Sequence, residues 1–373
     1  MKNQHCHTST EAAHSPPVRP ASGRGTWRKP PGRFASTSTV RVADGWFLDM
    51  ADLPQARVPT TIHVEHARSI ISRNQSPDVP FEQSINPYRG CEHGCIYCYA
   101  RPSHAFVDLS PGLDFETRIF AKKNAAKLLA KEITASGYQC TPINLGANTD
   151  PYQPAEKKHK ITRSILQVLA RHRHPVTIIT KGALVLRDLD ILTDMAADNL
   201  VSVAVSITTL KNDLKRIMEP RAASVQARLT TISTLSENGI PTTLLLAPVI
   251  PAINDSEIEH IVHASADAGV CSAHYIFLRL PFEVKELFVD WLQEYFPLRA
   301  RHVTNLLRAA RNGKLNDPRF GNRMQGEGPY AEMIGKRFAR AVRECGLSVR
   351  EESPLNTAAF KAQHPASAQL SLL

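Results

Sequence analysis

The stretch "NPYRGCEHGCIYCYARPSH", residues 86–104, holds three of the chain's seven cysteines. Cys91, Cys95 and Cys98 have the spacing C-x3-C-x2-C, and Gly90 and Gly94 stand among them. Glycine reaches the left-handed backbone conformations that a tight loop around a bound group requires. Three thiolates on a four-iron cluster leave one iron open to a further ligand, so this spacing favours an iron–sulfur site.

Zinc is the alternative metal for this loop, with His93 as a fourth ligand. Structural zinc sites usually combine two C-x2-C-like pairs, and the sequence has no second pair. A third interpretation, three cysteines buried only for packing, suits a glycine-rich turn poorly. The remaining cysteines are scattered and the total is odd, which does not suit a disulfide framework. We therefore expect a reducing, cytoplasmic setting.

The composition is that of a globular protein with a large core. Hydrophobic residues make up 42% of the 373 residues and charged residues 21%. No run approaches the roughly 20 apolar residues that a membrane span needs. The first residues also lack the apolar segment of a secretory signal. These features predict no association with a membrane.

The net charge of +10 is concentrated towards the two ends of the sequence. Residues 1–41 hold seven Lys/Arg and one acidic residue, whereas residues 299–343 hold eleven Lys/Arg and three acidic residues. Basic clusters can contact nucleic acid, although solvated tails and helix faces give the same pattern. Nucleic acid is therefore a candidate partner through these basic ends.

The chain divides into four predicted segments. Residues 1–45 are rich in Pro, Ser, Thr and Arg without apolar periodicity, which predicts a disordered basic tail. Residues 46–80 form a lead-in segment, and residues 81–300 form the main folded unit. Residues 301–373 are a C-terminal extension with a small amphipathic helix. The apolar face of that helix is predicted to contain Met333, Ile334, Phe338 and Val342.

From residue 81, short β-branched runs alternate with longer segments of helical period. Six strand–helix units result, which predict right-handed crossovers and a parallel sheet. The fold class is α/β, and a partial (βα)6 TIM-like barrel and a doubly wound open sheet are the two architectures that fit. The predicted strands cover residues 81–86, 142–146, 176–180, 201–207, 242–247 and 274–280. The predicted helices cover residues 120–133, 161–171, 184–195, 224–237, 256–268 and 283–295.

Polar and glycine-rich segments follow the ends of the predicted strands. The cysteines follow the first strand, and "GANTDPYQPAE", residues 146–156, follows the second. Lys181 follows the third strand and Ser206 closes the fourth, while "APVIPAIND" (247–255) and "RLP" (279–281) end the fifth and sixth. Chemistry gathers at the carboxyl ends of the strands in parallel α/β folds. The pattern therefore predicts one site at this end of the sheet.

The segment "CEHGCIYC" resembles the C-x3-C-x-aromatic-C signature of the radical S-adenosylmethionine (SAM) superfamily, with Tyr97 as the aromatic residue. The resemblance covers about residues 81–300 and implies a partial (βα)6 barrel of the radical SAM type. The chain is also similar to the spore-photoproduct-lyase-like branch. That similarity is carried, in order, by "GCIYCYAR", "NTDPYQ", "IITKG", "VSVAVSITT", "MEP" and "APVIPAIND".

The resemblance implies a [4Fe–4S] cluster on Cys91, Cys95 and Cys98, with SAM on the open iron. Reductive cleavage of SAM would then give a 5′-deoxyadenosyl radical that abstracts hydrogen from a substrate. An external electron donor such as flavodoxin or ferredoxin is implied as well. The implied SAM contacts are Tyr97, Asn148, Thr149, Lys181, Ser206, Ala247, Pro248 and Val249. The resemblance also includes three motif members without an assigned role, Asp150, Glu219 and Arg228.

One position departs from the lyase pattern. Spore photoproduct lyases place a hydrogen-donating cysteine three residues before the aspartate, where this chain has Ala147. The resemblance therefore implies a lyase-like radical SAM enzyme whose substrate is not assigned, with nucleic acid as a candidate. The alternative is a non-catalytic zinc- or iron–sulfur-binding module that contacts nucleic acid.

Structural roles also remain open for three of the polar residues. Lys181 can be an ordinary surface lysine at the end of its strand. Ser206 can cap the loop that follows its strand, and Asp150 can shape the turn before Pro151.

Overall fold

The computed structural model of the protein describes residues 23–35, 58–348 and 354–362. The strands within these residues are β1 (Thr61–Glu65), β2 (Ile71–Arg73), β3 (Gln83–Ile85), β4 (Tyr88–Arg89), β5 (Arg118–Lys122), β6 (Ile143–Leu145), β7 (Val176–Thr180), β8 (Val201–Ser206), β9 (Thr242–Val249) and β10 (Ser272–Phe277). The helices are α1 (Leu113–Thr117), α2 (Ala125–Ile133), α3 (Glu156–His159), α4 (Ile161–Arg171), α5 (Leu189–Ala197), α6 (Asn212–Met218), α7 (Val225–Glu237), α8 (Ile258–Asp267), α9 (Val284–Tyr295), α10 (Pro297–Ala309) and α11 (Gly328–Glu344).

A seven-stranded sheet in the order β10-β9-β8-β7-β6-β3-β2 forms the centre of the protein. The strands from β3 to β10 in this order run parallel, and β2 pairs antiparallel with β3. The sheet stays open, because β10 and β2 lie at its two edges. The expected α/β fold with six parallel strands is therefore confirmed, and each observed strand end lies within three residues of its predicted position.

Helices α5, α7 and α8 pack on β8 and β9 from the outer face of the sheet. Both strands are almost entirely buried, with one partly exposed residue in β8 and two in β9. The predicted second and fourth helices agree with α4 and α7 to within a residue. No helix among the described residues is long and apolar enough to cross a membrane.

A second sheet of three strands, β1-β5-β4, lies beside the cysteine loop and was not predicted. The predicted helix over residues 120–133 is wrong in its first part, since Arg118–Lys122 is strand β5. Ile119 and Ala121 are buried and alternate with more exposed neighbours, which is the period of a strand. The helix itself begins only at Ala125.

The prediction of a disordered tail over residues 1–45 is wrong for residues 23–35. Arg24 is only 6% exposed and donates to the main-chain oxygens of Val58 and Glu116. The main-chain amide of Leu113 donates to the oxygen of Arg28 at 2.8 Å. Composition could not reveal this packing, because it uses main-chain groups and one arginine rather than a periodic apolar face. Residues 1–22 and 36–57 lie outside the described residues.

The loop between α10 and α11 connects the two edges of the open sheet. The amide of Phe277, at the end of β10, donates to the oxygen of Met324 at 2.8 Å. Arg323 pairs with Asp78 in the connection between β2 and β3, and its guanidinium also reaches Ser76. The side of the barrel between β10 and β2 is therefore spanned by residues 319–326.

Helix α11 packs on α8 and β10 along one apolar face. Ile334, Phe338 and Val342 are buried as predicted, and the Phe338 ring lies 4.8 Å from that of Tyr275. Met333 does not belong to this face, since it is 40% exposed. The prediction grouped it with Ile334 although neighbouring helical residues point 100° apart.

We expect Phe338→Ala to lower the free energy of unfolding by roughly 3–5 kcal/mol, because a buried ring is replaced by a cavity. Met333→Ala on the same helix is the matched control and should change it by less than about 0.5 kcal/mol. Urea unfolding followed by circular dichroism measures both. Equal losses in the two variants would contradict the assigned helix face.

Candidate functional site

The three cysteines lie in the loop that follows β4, at the carboxyl end of the parallel strands. Cys91 and Cys95 are 7% and 8% exposed, Cys98 is partly exposed, and all three are free thiols. Gly90 and Gly94 have φ angles of +78° and +68°, in the left-handed region. A Cβ atom on Gly90 would also lie 2.9 Å from the His104 ring, so the loop requires glycine here.

Burial raises the pKa of all three thiols. For Cys95 the pKa rises to about 12, mainly through burial and further through the nearby Glu219 carboxylate. Such thiols stay protonated at neutral pH unless a metal replaces the proton. The loop therefore concentrates three thiols that become thiolates when a metal group binds.

Asp150 connects the cysteine loop to the ends of β6 and β7. Its carboxylate accepts hydrogen bonds from the Thr180 hydroxyl at 2.7 Å and from the Lys181 amide at 2.6 Å. The Nδ1 atom of His93 lies 3.3 Å from the same carboxylate. Burial alone would raise the pKa of Asp150, but His93 and the two donors outweigh it and lower the pKa to about 2. Asp150 thus holds three loops together, which is more than shaping a turn.

Glu219 and Arg228 form a buried ion pair beside the cysteine loop, with side-chain exposures of 0% and 2%. The hydroxyl groups of Tyr97 and Thr208 both donate to the Glu219 carboxylate. Burial alone would raise the pKa of Glu219, but Arg228 and Lys181 outweigh it and lower the pKa to about 2. The ionised carboxylate fixes the orientation of the Tyr97 ring.

Two polar groups near this ion pair are available to a ligand. The Ser206 hydroxyl, at the end of β8, is fully buried and has no hydrogen-bond partner among the described residues. The Lys181 ammonium lies 5.9 Å from the centre of the Tyr97 ring, and no described carboxylate lies within 4 Å of it. A buried hydroxyl without a partner costs free energy that a polar ligand can restore.

Asn148 and Thr149 already donate hydrogen bonds within the described part of the protein, in contrast to the Ser206 hydroxyl and the Lys181 ammonium. The Thr149 hydroxyl donates to the main-chain oxygen of Tyr88 at 2.8 Å, so it is already engaged. Asn148 has an exposed side chain, and its amide donates to Asn86 Oδ1 at 2.8 Å. Their predicted contact with SAM stays a prediction.

The fifth strand brings its predicted residues to the same end of the sheet. Ala247 is partly exposed, whereas Pro248 and Val249 are buried at the carboxyl end of β9. This strand is the direct neighbour of β8, which carries Ser206. The three residues therefore lie on the strand beside Ser206, and their contact with the adenine of SAM stays a prediction.

Tyr99 and Arg279 lie at this end of the sheet and were not among the predicted site residues. Tyr99 follows Cys98, and its hydroxyl donates to the main-chain oxygen of Ala147. The Arg279 guanidinium lies 5.2 Å from the centre of the Tyr99 ring and 3.5 Å from the Met324 sulfur. No carboxylate among the described residues lies within 4 Å of Arg279, and burial lowers its pKa. The position of "RLP" after the sixth strand was the available signal.

The donors fit a cluster with SAM beside it better than they fit zinc. Three thiols share one buried loop, and an unpartnered hydroxyl and ammonium lie next to it. SAM offers a carboxylate, an amino group and a ribose to such donors. His93, the fourth ligand that zinc would need, has Nδ1 at the Asp150 carboxylate. Within the described ranges, no three Cys, His, Asp or Glu side chains are grouped around one ion position, and this holds for the three loop thiols as it does for a zinc site with His93.

The region that contains the cysteine loop matches a known protein family. Residues 85–264 match the Radical SAM superfamily. They form a radical SAM domain. The domain runs from the end of β3 into α8 and includes the three cysteines, Lys181, Ser206 and the Glu219–Arg228 pair.

Curated relatives match a region of similar length. "Uncharacterized protein Rv2578c" of Mycobacterium tuberculosis is 36% identical over 221 residues, which cover 59% of this chain and 65% of that protein. "Uncharacterized protein MJ0683" of Methanocaldococcus jannaschii is 29% identical over 222 residues, which cover 59% of this chain and 79% of that protein. The chain thus spans less than two thirds of the mycobacterial relative.

Solved structures of spore photoproduct lyase have the same fold as the radical SAM domain. The lyase complexed with dinucleoside spore photoproduct gives a TM-score of 0.54 at 15% identity, covering 76% of this chain and 79% of that chain. A lyase variant with bound AdoMet and dinucleoside spore photoproduct gives a TM-score of 0.53 at 16% identity with the same coverage. At this identity the likeness is one of fold, and it confirms the predicted architecture.

Proposed function

We propose that the protein is a radical SAM enzyme in which Cys91, Cys95 and Cys98 hold a [4Fe–4S] cluster that binds SAM. When bound, the reduced cluster and SAM supply a 5′-deoxyadenosyl radical for hydrogen abstraction from a substrate. The observation that carries this proposal is the buried three-thiol loop with the unpartnered Ser206 hydroxyl and Lys181 ammonium beside it. Such a cluster works in a reducing compartment, and we propose a cytoplasmic setting with a flavodoxin- or ferredoxin-like electron donor.

The protein's own residues would bind and orient SAM. Lys181 would donate to the SAM carboxylate, since no described carboxylate lies within 4 Å of its ammonium. Ser206 would donate to the carboxylate or the ribose from a site that excludes water. Tyr97 would present its ring to the adenine while Glu219 holds its hydroxyl. Arg228 keeps Glu219 ionised and donates to the Ser206 main-chain oxygen at 2.9 Å, which fixes the end of β8.

We expect the anaerobically reconstituted protein to hold about four irons with matching sulfide, as a three-thiolate cluster requires. Cys91→Ala, Cys95→Ala and Cys98→Ala should each abolish this content, because each removes one ligand. Cys140→Ala is the matched control and should keep it, since Cys140 lies outside the loop. Iron and sulfide assays measure the content. Stoichiometric zinc without sulfide would support the non-catalytic module instead.

We expect Lys181→Ala to weaken SAM binding by on the order of 1.5–3 kcal/mol, the value of a hydrogen bond to a charged group. Lys285→Ala, which removes an exposed lysine on α9, should leave the affinity unchanged. Equilibrium dialysis with the reconstituted protein measures both. Ser206→Ala sharpens the test, since it should weaken SAM binding by about 0.5–1.5 kcal/mol without lowering stability. A loss of stability without a loss of affinity would assign Ser206 to a loop cap.

We propose that the substrate carries an anionic group, such as a nucleic-acid phosphate, and that Arg279 contacts it. The basic ends support nucleic acid less than their charge suggests, because Arg337 pairs with Glu259 and Arg340 with Glu344. Arg279 differs from these arginines because it is partly buried at the strand ends. One of its N–H groups donates to the thioether sulfur of Met324. Its remaining N–H groups suit a phosphate or a carboxylate.

We expect Arg279→Gln to weaken binding of a single-stranded oligonucleotide roughly tenfold or more, because a charge-assisted bond is lost. Arg308→Gln, an exposed arginine on α10, should have a much smaller effect. Fluorescence anisotropy at several salt concentrations measures the affinity and its salt dependence. Equal affinities in the two variants would remove nucleic acid bound at Arg279 from the proposal.

A further inference from the structure

Residues 23–35, which we call the N-terminal strap, pack directly on the cysteine loop. Gly25 is buried, and a Cβ atom at this position would lie 1.8 Å from the main-chain oxygen of Gly94. The Gly25 amide donates to Glu116 Oε2 at 2.9 Å. No side chain fits between the two main chains, so strap and loop are in van der Waals contact between the ligands Cys91 and Cys95.

A buried ion pair, Glu116 and Arg101, connects the strap to the cysteine loop. Both side chains are 0% exposed, and Arg101 Nη2 lies 2.5 Å from Glu116 Oε1. Arg101 also donates to the main-chain oxygens of Cys95 at 2.9 Å and Gly94 at 3.1 Å. One buried guanidinium therefore binds both the loop backbone and the carboxylate that receives the strap.

Arg24 extends this network to the other side of the loop. Its guanidinium donates to the Glu116 main-chain oxygen at 3.0 Å and to the Thr60 hydroxyl at 2.9 Å. The Thr60 hydroxyl in turn donates to Glu92, the residue after Cys91, at 2.7 Å. The strap thus reaches residues on both sides of the Gly94 turn.

The remainder of the strap is fastened near α1. The oxygen of Pro30 accepts a hydrogen bond from the Ser110 hydroxyl at 2.7 Å. A Cβ atom on Gly112 would lie 2.0 Å from the Arg28 oxygen, so the two main chains touch here too. Lys29 pairs with Asp114 at 2.9 Å, but an exposed pair of this kind contributes little. The buried Arg24–Gly25 end is therefore the principal anchor.

We propose that the N-terminal strap is part of the cluster site: it positions the cysteine loop and shields Cys91 and Cys95 from solvent. This inference rests on the proposed function, because the group to be held is the cluster. The shielding itself belongs to the chain without metal, so it can be measured separately from cluster assembly.

The test compares two truncations, one lacking residues 1–22 and one lacking residues 1–35, in the metal-free protein. Each is treated anaerobically with iodoacetamide, and the alkylation rate of every cysteine is followed by mass spectrometry. Loss of the strap should raise the rates of Cys91 and Cys95 about tenfold or more, as for a local opening. The protein that lacks only residues 1–22 should keep the alkylation rates of the full-length protein. Equal rates in the two truncations would overturn the proposal.

Internal references separate local opening from unfolding. Cys271 is exposed and should react at the same rate in all proteins, whereas Cys140 is partly buried at the opposite end of β6 and reports loss of the fold. If Cys140 is also alkylated faster in the protein that lacks residues 1–35, two point variants replace the truncations as the test. Gly25→Ala should accelerate Cys91 and Cys95, because its Cβ has no space. Lys29→Ala in the same strap is the matched control and should leave both rates unchanged, because its exposed pair with Asp114 contributes little. Equal rates in these two variants would overturn the proposal.

A second readout addresses the positioning of the loop. The electron paramagnetic resonance spectrum of the reduced, reconstituted cluster senses ligand geometry. It should change in Gly25→Ala and remain that of the full-length protein in Lys29→Ala; identical spectra in both would contradict a positioning role. Absence of iron from the full-length protein would refute the proposed function, while the alkylation rates would still decide the shielding by the strap.

Discussion

The site depends on a glycine-rich loop that holds three buried or partly buried thiols although its main chain forms no helix or strand. Main-chain oxygens left without partners there would each cost free energy. Arg101 solves this for Gly94 and Cys95, and it adds the oxygen of Gly112 and the carboxylate of Glu116. A buried ion pair alone is weak evidence for stability. Here the guanidinium uses its donors on the loop, so its value lies in the shape it imposes.

Three buried carboxylates hold the loop from three directions. Glu116 faces the strap, Asp150 faces the ends of β6 and β7, and Glu219 faces the end of β8. Against the effect of burial, His93 and hydrogen bonds lower the pKa of Asp150 to about 2, and Arg228 and Lys181 lower that of Glu219 to about 2. Burial dominates at Glu116 and raises its pKa. The loop is thus fixed by charge and hydrogen bonds, while the apolar core of the barrel lies beneath it.

The parallel strands could be predicted because each is a short β-branched run between longer helical segments, as in Val176–Thr180, where prediction and structure agree. The strap could not, since its order comes from Gly25 meeting Gly94 and from Arg24 reaching distant oxygens. Neither contact leaves a local period, and proline and arginine content indicates disorder. Likewise, β5 was read as helix because its apolar residues continue into α2. The cysteine spacing predicted the three candidate ligands, but the unpartnered Ser206 hydroxyl and the Arg101–Glu116 pair could be found only in the structure.

For the proposed anionic substrate, the charge at the strand ends is better placed than the charge at the chain ends. Arg337 and Arg340 on α11 pair with Glu259 and Glu344, which reduces the positive field of this helix. Residues 319–326 span the open side of the sheet and place Arg323 on Asp78. Arg279 lies next to Tyr99 without an acid of its own. On the proposed function, a substrate that approaches the cysteines from the strand ends would meet this guanidinium, which would favour an anionic group.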